Sequence, residues 1–245
     1  RRGLSVILGD VGTGKTTLSR KLVQELKERG DFIFHIILDP SFEDERTFMR
    51  YLVRNFEIPL ELRSADLQDL KEALEKFLFQ KGITEDKTVV LIIDEAQKLN
   101  EKSLEVLRVL LNYETNEFKL LQLVLLGQME LHSKIMNIPN FFDRISFKYT
   151  LNPLNFQETK EMINFRIRQA GYRSNIKLFT EDAIREIYQY TRGYPRQITM
   201  LCHRAVKNLV LKNRFVVEAQ FIEDLIRDDI RLGWHWKDRI VHKNI

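Results

Sequence analysis

The sequence predicts an α/β protein in which helices flank a parallel sheet, followed by a small domain made only of helices. Three observations predict this class. Apolar runs of strand length alternate with amphipathic stretches of helix length as far as about residue 150, the pattern of a parallel sheet covered on both faces. A glycine-rich loop joins the first strand to the first helix. Beyond residue 154 only helical patterns remain.

Periodicity and capping residues place the elements of the α/β part. The run 32–38 is continuously apolar with β-branched residues, typical of a strand covered on both faces. Phe48, Leu52 and Phe56 are spaced as on one face of a helix, and Asp66 is a helix-capping residue. The predicted strands are 4–8, 32–38, 88–93, 120–126 and 147–151. The first predicted helix includes Leu18, and another runs from Asp66 to Lys81-Gly82. The remaining predicted helices are 43–56, 101–116 and 130–136.

Four helices are predicted for the C-terminal part. Asn155 with Glu158 has the pattern of a capping box, and Pro195 suits a first helical position. The predicted helices are 155–170, one opened by Thr180 and stopped by residues 192–195, one from 195 to 211, and 218–231. The predicted domains are therefore 1–151, 152–232 and a tail, 233–245, of unknown role.

Composition is that of a globular protein, with 44% hydrophobic and 30% charged residues in 245. No apolar run approaches the ~20 residues that cross a bilayer, so membrane insertion by this fragment is not expected. The single cysteine, Cys202, excludes an intrachain disulfide framework and favours a cytoplasmic location. The absence of an initiator methionine suggests a fragment of a longer protein, whose attachment to the inner membrane is left open.

Charge is distributed unevenly along the chain. Residues 1–150 hold 22 Lys+Arg against 24 Asp+Glu, whereas residues 151–245 hold 17 against 11. A basic region can favour nucleic acid or anionic lipid. It can also be a solvated helical surface, which is the simpler interpretation at this density.

The stretch Gly9–Thr16 has the pattern G-x-x-x-x-G-K-T between a strand and a helix. Glycines let backbone amides approach phosphate oxygens closely, and the following helix directs its positive end toward them. Lys15 is expected to reach the β- and γ-phosphates, and the Thr16 hydroxyl to hold Mg²⁺. The sequence therefore predicts nucleoside triphosphate binding. The candidate binding residues are Gly9, Asp10, Val11, Gly12, Thr13, Gly14, Lys15, Thr16 and Thr17.

Two carboxylates, Asp94 and Glu95, directly follow the strand 88–93. Ligands of open α/β sheets bind at the carboxyl ends of the strands. Asp94 is therefore a candidate Mg²⁺ ligand, and Glu95 a candidate to orient or deprotonate the attacking water. The same pair is also common at helix N-termini, but its presence alongside the glycine loop favours the catalytic interpretation.

Three further polar residues are candidates for the site. Gln128 follows the fourth strand and either touches the γ-phosphate or caps the next helix. Arg196 begins a helix of the second domain and either senses the nucleotide or is an ordinary surface arginine. Arg144 either acts on the nucleotide of a neighbouring subunit, as an arginine finger, or pairs locally with Asp143 or Glu130.

Several motifs together resemble the AAA+ P-loop ATPases. Within them the chain is similar to the group that contains the general secretion pathway protein A (ExeA-like) and transposition-associated ATPases. The resemblance implies a five-stranded parallel sheet, a helical lid with ATP between them, and assembly into rings or filaments with sites shared between subunits. The motifs are Gly9–Thr16, Asp94–Gln97, Leu126–Leu131, Gly193–Arg196 and Ile198–Cys202.

The resemblance also implies residue roles. Lys15 and Thr16 match the phosphate and Mg²⁺ residues, and Asp94 and Glu95 the metal and water residues. Gln128 falls at the first sensor position and Arg196 at the second, whereas Arg144 matches the finger position only loosely. The expected function is Mg-ATP hydrolysis that drives assembly or conformational change in a partner complex of secretion machinery. A DNA-bound ATPase of the transposition or replication-loading type is the alternative.

Overall fold

Four mainly apolar runs and one mixed run form the strands of a five-stranded parallel sheet in the computed structural model, which describes residues 3–233. The chain divides into two compact units, Arg1–Asn152 and Pro153–Ile245. The predicted tail, apart from Gly233, lies outside the described residues.

The first unit alternates strands and helices as predicted. Its strands are β1 (Leu4–Gly9), β2 (Phe32–Ile37), β3 (Thr88–Ile93), β4 (Leu121–Gly127) and β5 (Ile145–Leu151). Its helices are α1 (Lys15–Lys27), α2 (Glu45–Asn55), α3 (Leu67–Phe79), α4 (Glu101–Leu110) and α5 (Met129–Met136). The sheet order is β2-β3-β4-β1-β5, with every neighbouring pair parallel. The predicted fold class, a parallel five-stranded sheet with a helical C-terminal part, is confirmed.

The centre of the sheet is covered on both faces because its central strands carry apolar side chains at consecutive positions. Val89, Leu91 and Ile93 pack into the larger core, formed with α2, α3, α4 and α5. Val90 and Ile92 pack into a smaller core with α1 on the opposite face. Burial of apolar surface stabilises the folded state by about 25 cal/mol per Å². The central strands, which carry the loops at the edge of the sheet, are stabilised in this way.

Three elements differ from the prediction. The strand β2 lies at an edge of the sheet, so most of it is half-buried rather than fully covered. Helix α3 continues into a π-helical turn, Gln80–Thr84, instead of ending at Lys81-Gly82. Helix α4 ends at Leu110, not near Asn116, because the chain turns into an antiparallel bridge between Glu114 and Lys119.

The second unit is helical in its described part, which ends at Gly233. Its helices are α6 (Phe156–Gln169), α7 (Glu181–Thr191), α8 (Pro195–Leu211) and α9 (Ala219–Arg231). The predicted capping box of Asn155 and Glu158 forms at the start of α6. Burial raises the pKa of Cys202 to about 12, so its thiol stays protonated at neutral pH and behaves as an apolar group beside the core of this unit.

The junction between α7 and α8 depends on a glycine. Gly193 has a φ of 78°, and a Cβ at this position would lie 1.8 Å from the carbonyl oxygen of Leu154. The Leu154 amide in turn donates to the Gly193 carbonyl at 2.9 Å. Only glycine accommodates both the left-handed conformation and this close backbone approach.

None of the helices in the described range 3–233 is both long enough and apolar enough to traverse a bilayer.

Gly193→Ala is expected to destabilise the protein strongly, because the new methyl group would overlap a backbone carbonyl. Gly171→Ala is the matched control, since Gly171 also has a positive φ, 88°, but its Cβ would meet no atom within 4 Å. The control should cost about 1 kcal/mol through its conformation alone, and Gly193→Ala at least about 2 kcal/mol more. Urea unfolding measures both, and equal losses would contradict the steric explanation.

Candidate nucleotide site

The glycine loop leads from β1 into α1. Gly14, at the N-cap of α1, has a φ of 107°, a backbone conformation that residues other than glycine rarely adopt. The loop closes on itself because the Thr13 amide and hydroxyl both donate to the Asp10 carbonyl, at 3.4 Å and 2.9 Å. The loop tip, Asp10 and Val11, is exposed. This turn brings the start of α1 directly to the end of β1.

Lys15 is buried at the base of this loop, with 5% of its surface exposed. Its Nζ donates to the carbonyl oxygens of Gly9 at 2.8 Å and Asp10 at 2.9 Å. Burial lowers the pKa of Lys15, while the charges of Glu95 and Asp94 act in the opposite direction. The carboxylates that follow β3 therefore lie within electrostatic reach of the lysine.

Asp94 and Glu95 form a tight turn where β3 ends. Asp94 is 2% exposed, and its Oδ1 accepts a hydrogen bond from the Glu95 amide at 2.9 Å. Glu95 is half-buried and has a φ of 51°, an uncommon conformation for a non-glycine residue that is often found at functional sites. A 3₁₀ turn, Ala96–Lys98, follows directly.

Gln97 connects this turn to β4, a contact that sequence reasoning missed. Its Nε2 donates to Glu95 Oε2 at 2.7 Å, and its Oε1 accepts from the backbone N–H of Gln128 at 3.0 Å. The sequence indicated Gln97 only through its place in the segment Asp94–Gln97. The left-handed conformation at Glu95, which turns the chain here, is not marked by a glycine.

Gln128 stands at the N-cap of α5, but its side chain makes no capping hydrogen bond. The interpretation of Gln128 as a side chain that caps the following helix is thus wrong. The side chain lies at the carboxyl end of β4, the strand between β1 and β3 in the sheet. The structure therefore brings Gln128 to the same edge as the glycine loop and the two carboxylates.

Arg144 lies just before β5, in a 3₁₀ turn, and is half-buried. Its Nε donates to the Asn140 carbonyl at 3.2 Å, and it acts electrostatically on Glu105. Among residues 3–233 these are the interactions found for Arg144, and its role stays a prediction.

Arg196 belongs to the second unit, in the first turn of α8, and is exposed. It forms no hydrogen bond or ion pair with other residues of the described range 3–233. A cation in the first turn opposes the helix dipole by about 0.3–1 kcal/mol. Neither local stability nor a partner in that range accounts for an arginine here, and its sensor role stays a prediction.

Thr16 and Thr17 occupy the first turn of α1, with Thr16 half-buried and Thr17 exposed. No group of three or more His, Cys, Asp or Glu side chains suited to a metal occurs in the described part of the chain. The donor chemistry of Thr16 and Asp94, a hydroxyl and one carboxylate, nevertheless fits Mg²⁺, which binds through one or two protein oxygens together with phosphates and water.

Comparison with known proteins gives one family and several relatives. The family described as AAA domain matches residues 1–135. General secretion pathway protein A of Aeromonas hydrophila is 36% identical over 206 residues, which cover 83% of this chain and 36% of that protein. The chain thus spans about a third of the length of this relative.

Two solved structures are similar in fold. The ORC2 protein of Aeropyrum pernix, solved as ADPNP–ADP complexes, has a TM-score of 0.67 at 19% identity and covers 91% of this chain and 61% of its own. Cdc6p from Pyrobaculum aerophilum has a TM-score of 0.68 at 19% identity, with 87% and 57% covered. At such low identity the likeness concerns the fold.

Proposed function

Because this chain belongs to the AAA domain family, we propose that it binds Mg-ATP and hydrolyses it to drive assembly or conformational change in a partner complex. The observation that carries the proposal is that β1 and β3, on either side of β4, bring the buried Lys15 of the glycine loop and the carboxylates Asp94 and Glu95 to the same edge of the sheet. A triphosphate, a metal and a water-activating carboxylate are needed at one place in ATP hydrolysis. We assign the nucleotide to the first unit.

Lys15 is the proposed phosphate contact. An ammonium group has three N–H donors, and within residues 3–233 two of them bind the Gly9 and Asp10 carbonyls. These bonds fix the cation at the loop and leave a donor for a phosphate oxygen. The backbone amides of the glycine loop and the N-terminus of α1 would add favourable partial charges.

Thr16 and Asp94 are the proposed Mg²⁺ ligands. When bound, Mg²⁺ neutralises the charge on the β- and γ-phosphates and orients them. Asp94 is buried and held by the Glu95 amide, so its carboxylate would need little rearrangement to serve as a ligand.

Glu95 is the proposed residue that orients the attacking water. Its Oε2 accepts from Gln97, and no hydrogen bond to its Oε1 is found within residues 3–233. That second oxygen is therefore the proposed acceptor for a proton of the water. We propose Gln128 as a polar contact to the γ-phosphate from the end of β4.

Secretion machinery is the proposed setting of this activity. The support is the 36% identity to General secretion pathway protein A. A homo-oligomer, ring or filament, in which Arg144 of one subunit acts on the nucleotide of the next, is part of the same proposal. The edge strand β5, which begins directly after Arg144, has exposed side chains at most of its positions, and this supports the proposal.

A DNA-bound ATPase is the second candidate, and the basic balance of residues 151–245 favours it. Some of its basic side chains pair with acidic ones within the second unit, which leaves the excess of six positive charges unchanged. The pairs are Lys160–Glu181, Arg204–Asp229, Arg227–Asp224 and Arg231–Asp228. We rank DNA binding below a protein partner because of the 36% identity to General secretion pathway protein A.

Lys15→Ala is expected to abolish stabilisation by nucleotide. Mg-ATP at about 100 times its Kd should raise the Tm of the parent by roughly 5–10 °C, and the variant should show no rise. Lys21→Ala is the matched control, since Lys21 is on the same helix but exposed and paired with Glu25. A full thermal shift in Lys15→Ala would remove Lys15 from the phosphate site.

Glu95→Gln is expected to keep ATP bound while lowering kcat by about 10²–10⁴-fold, because phosphate contacts survive and water activation is lost. Glu130→Gln is the control, since Glu130 also acts electrostatically on Lys15 but does not follow β3. Its kcat should stay within a few-fold of the parent. Parent-like turnover in Glu95→Gln would show that the residue is misassigned.

Arg144→Ala is expected to slow hydrolysis by about 10³-fold only if subunits associate, as for an arginine supplied across an interface. Mixing it with Lys15→Ala should restore activity, because one subunit keeps the phosphate site and the other keeps the arginine. Arg29→Ala, which removes an exposed arginine bonded to Asp31, should stay active alone. A mixture that regains nothing would leave Arg144 without a role.

A further inference from the structure

We infer that Gln97 is a positioning residue for ATP hydrolysis, which holds the Glu95 carboxylate against the end of β4. The inference rests on the proposed function and deepens it, because it names the group on which the water-orienting carboxylate depends. It is carried by two hydrogen bonds of one amide group, to Glu95 and to Gln128.

The amide of Gln97 is suited to its two partners because it has a donor and an acceptor. Its Nε2 faces the Glu95 carboxylate at 2.7 Å, and its Oε1 faces the Gln128 N–H at 3.0 Å. The reverse orientation would place oxygen against oxygen and N–H against N–H, so the two neighbours fix the amide. A carboxylate or an apolar side chain in this place could not make both bonds.

The neighbourhood leaves space for this amide. A Cβ on Gly127 would lie 3.1 Å from Gln97 Oε1 and 2.8 Å from Leu131 Cδ2. The end of β4 is therefore close to the Gln97 side chain, and the glycine allows its oxygen to reach the Gln128 amide.

The backbone of the turn is held by the same structural element. Lys134, on α5, donates through Nζ to the carbonyl oxygens of Gln97 at 2.6 Å and Leu99 at 2.9 Å. The side chain and the main chain of Gln97 are thus both attached to the segment that begins where β4 ends. The hydrogen bond from Gln97 to Glu95 therefore starts from a residue whose main chain and side chain are both restrained.

This arrangement defines how Gln97 would act. Glu95 is half-buried in a left-handed turn, so neither a strand nor a helix restricts its side chain. The bond from Gln97 selects one position of the carboxylate and engages only Oε2. Since Gln128 is the proposed phosphate contact, a shift of the β4 end on nucleotide binding would be transmitted through Gln97 to Glu95.

Gln97→Met tests the inference, because methionine has a similar length but donates and accepts no such hydrogen bond. Its kcat for ATP should fall about 10- to 100-fold, the scale expected when a reacting group is misplaced. Its Kd for a non-hydrolysable ATP analogue with Mg²⁺ should stay within about threefold of the parent, since the phosphate contacts are unchanged. Its Tm should stay within about 2 °C, because the half-buried amide adds little net stability.

Gln97→Glu separates the two bonds. It keeps an oxygen for the Gln128 amide but sets a second carboxylate against Glu95, so its kcat should fall at least as far as that of Gln97→Met. Gln68→Met is the matched control, since Gln68 donates to Glu72 at 3.0 Å on the exposed face of α3. It should keep the parent values of kcat and Kd.

The outcomes distinguish this inference from the proposed function. A parent protein that hydrolyses no ATP overturns both. If the parent is active and Glu95→Gln is not, then parent-like turnover in Gln97→Met or Gln97→Glu overturns the positioning role alone. A loss of kcat matched by an equal loss of ATP affinity, or by a large fall in Tm, also overturns it, because Gln97 would then support the fold in general.

Discussion

The common direction of the five strands is the constraint on which the candidate site depends. In a parallel sheet every strand ends at the same edge, so β1, β4 and β3 deliver Gly9, Gly127 and Asp94 to one place although these residues are far apart in sequence. The register pairs Leu8 with Gly127 and Ile93 with Leu125. The glycine loop and the carboxylates are consequently held at nearly the same level of the sheet.

Local patterns predicted most of the fold, because most of its elements are determined locally. The buried strands have apolar residues on both faces, and Asp66 and Asn155 make the capping bonds that their positions indicate. The errors have tertiary causes. An apolar run cannot reveal that β2 lies at a sheet edge, and the early end of α4 depends on a bridge between Glu114 and Lys119.

The candidate site was predictable where chemistry requires fixed spacing. The glycine loop with Lys15, and the carboxylates Asp94 and Glu95 after β3, could be read from residue types. The contact of Gln97 with Gln128 joins residues 31 positions apart and depends on the fold. The left-handed turn at Glu95 also escaped prediction, because such turns are usually marked by glycine.

The buried cation of the glycine loop has a consequence for the stability of the fold. Since burial lowers the pKa of Lys15 below 10.5, the folded chain carries an unfavourable charge at neutral pH. This cost is relieved as the pH rises from that lowered pKa towards 10.5, where the unfolded chain also loses the proton. At neutral pH an anion placed against the Lys15 ammonium would offset the same cost, so the burial of this cation favours anion binding at the glycine loop.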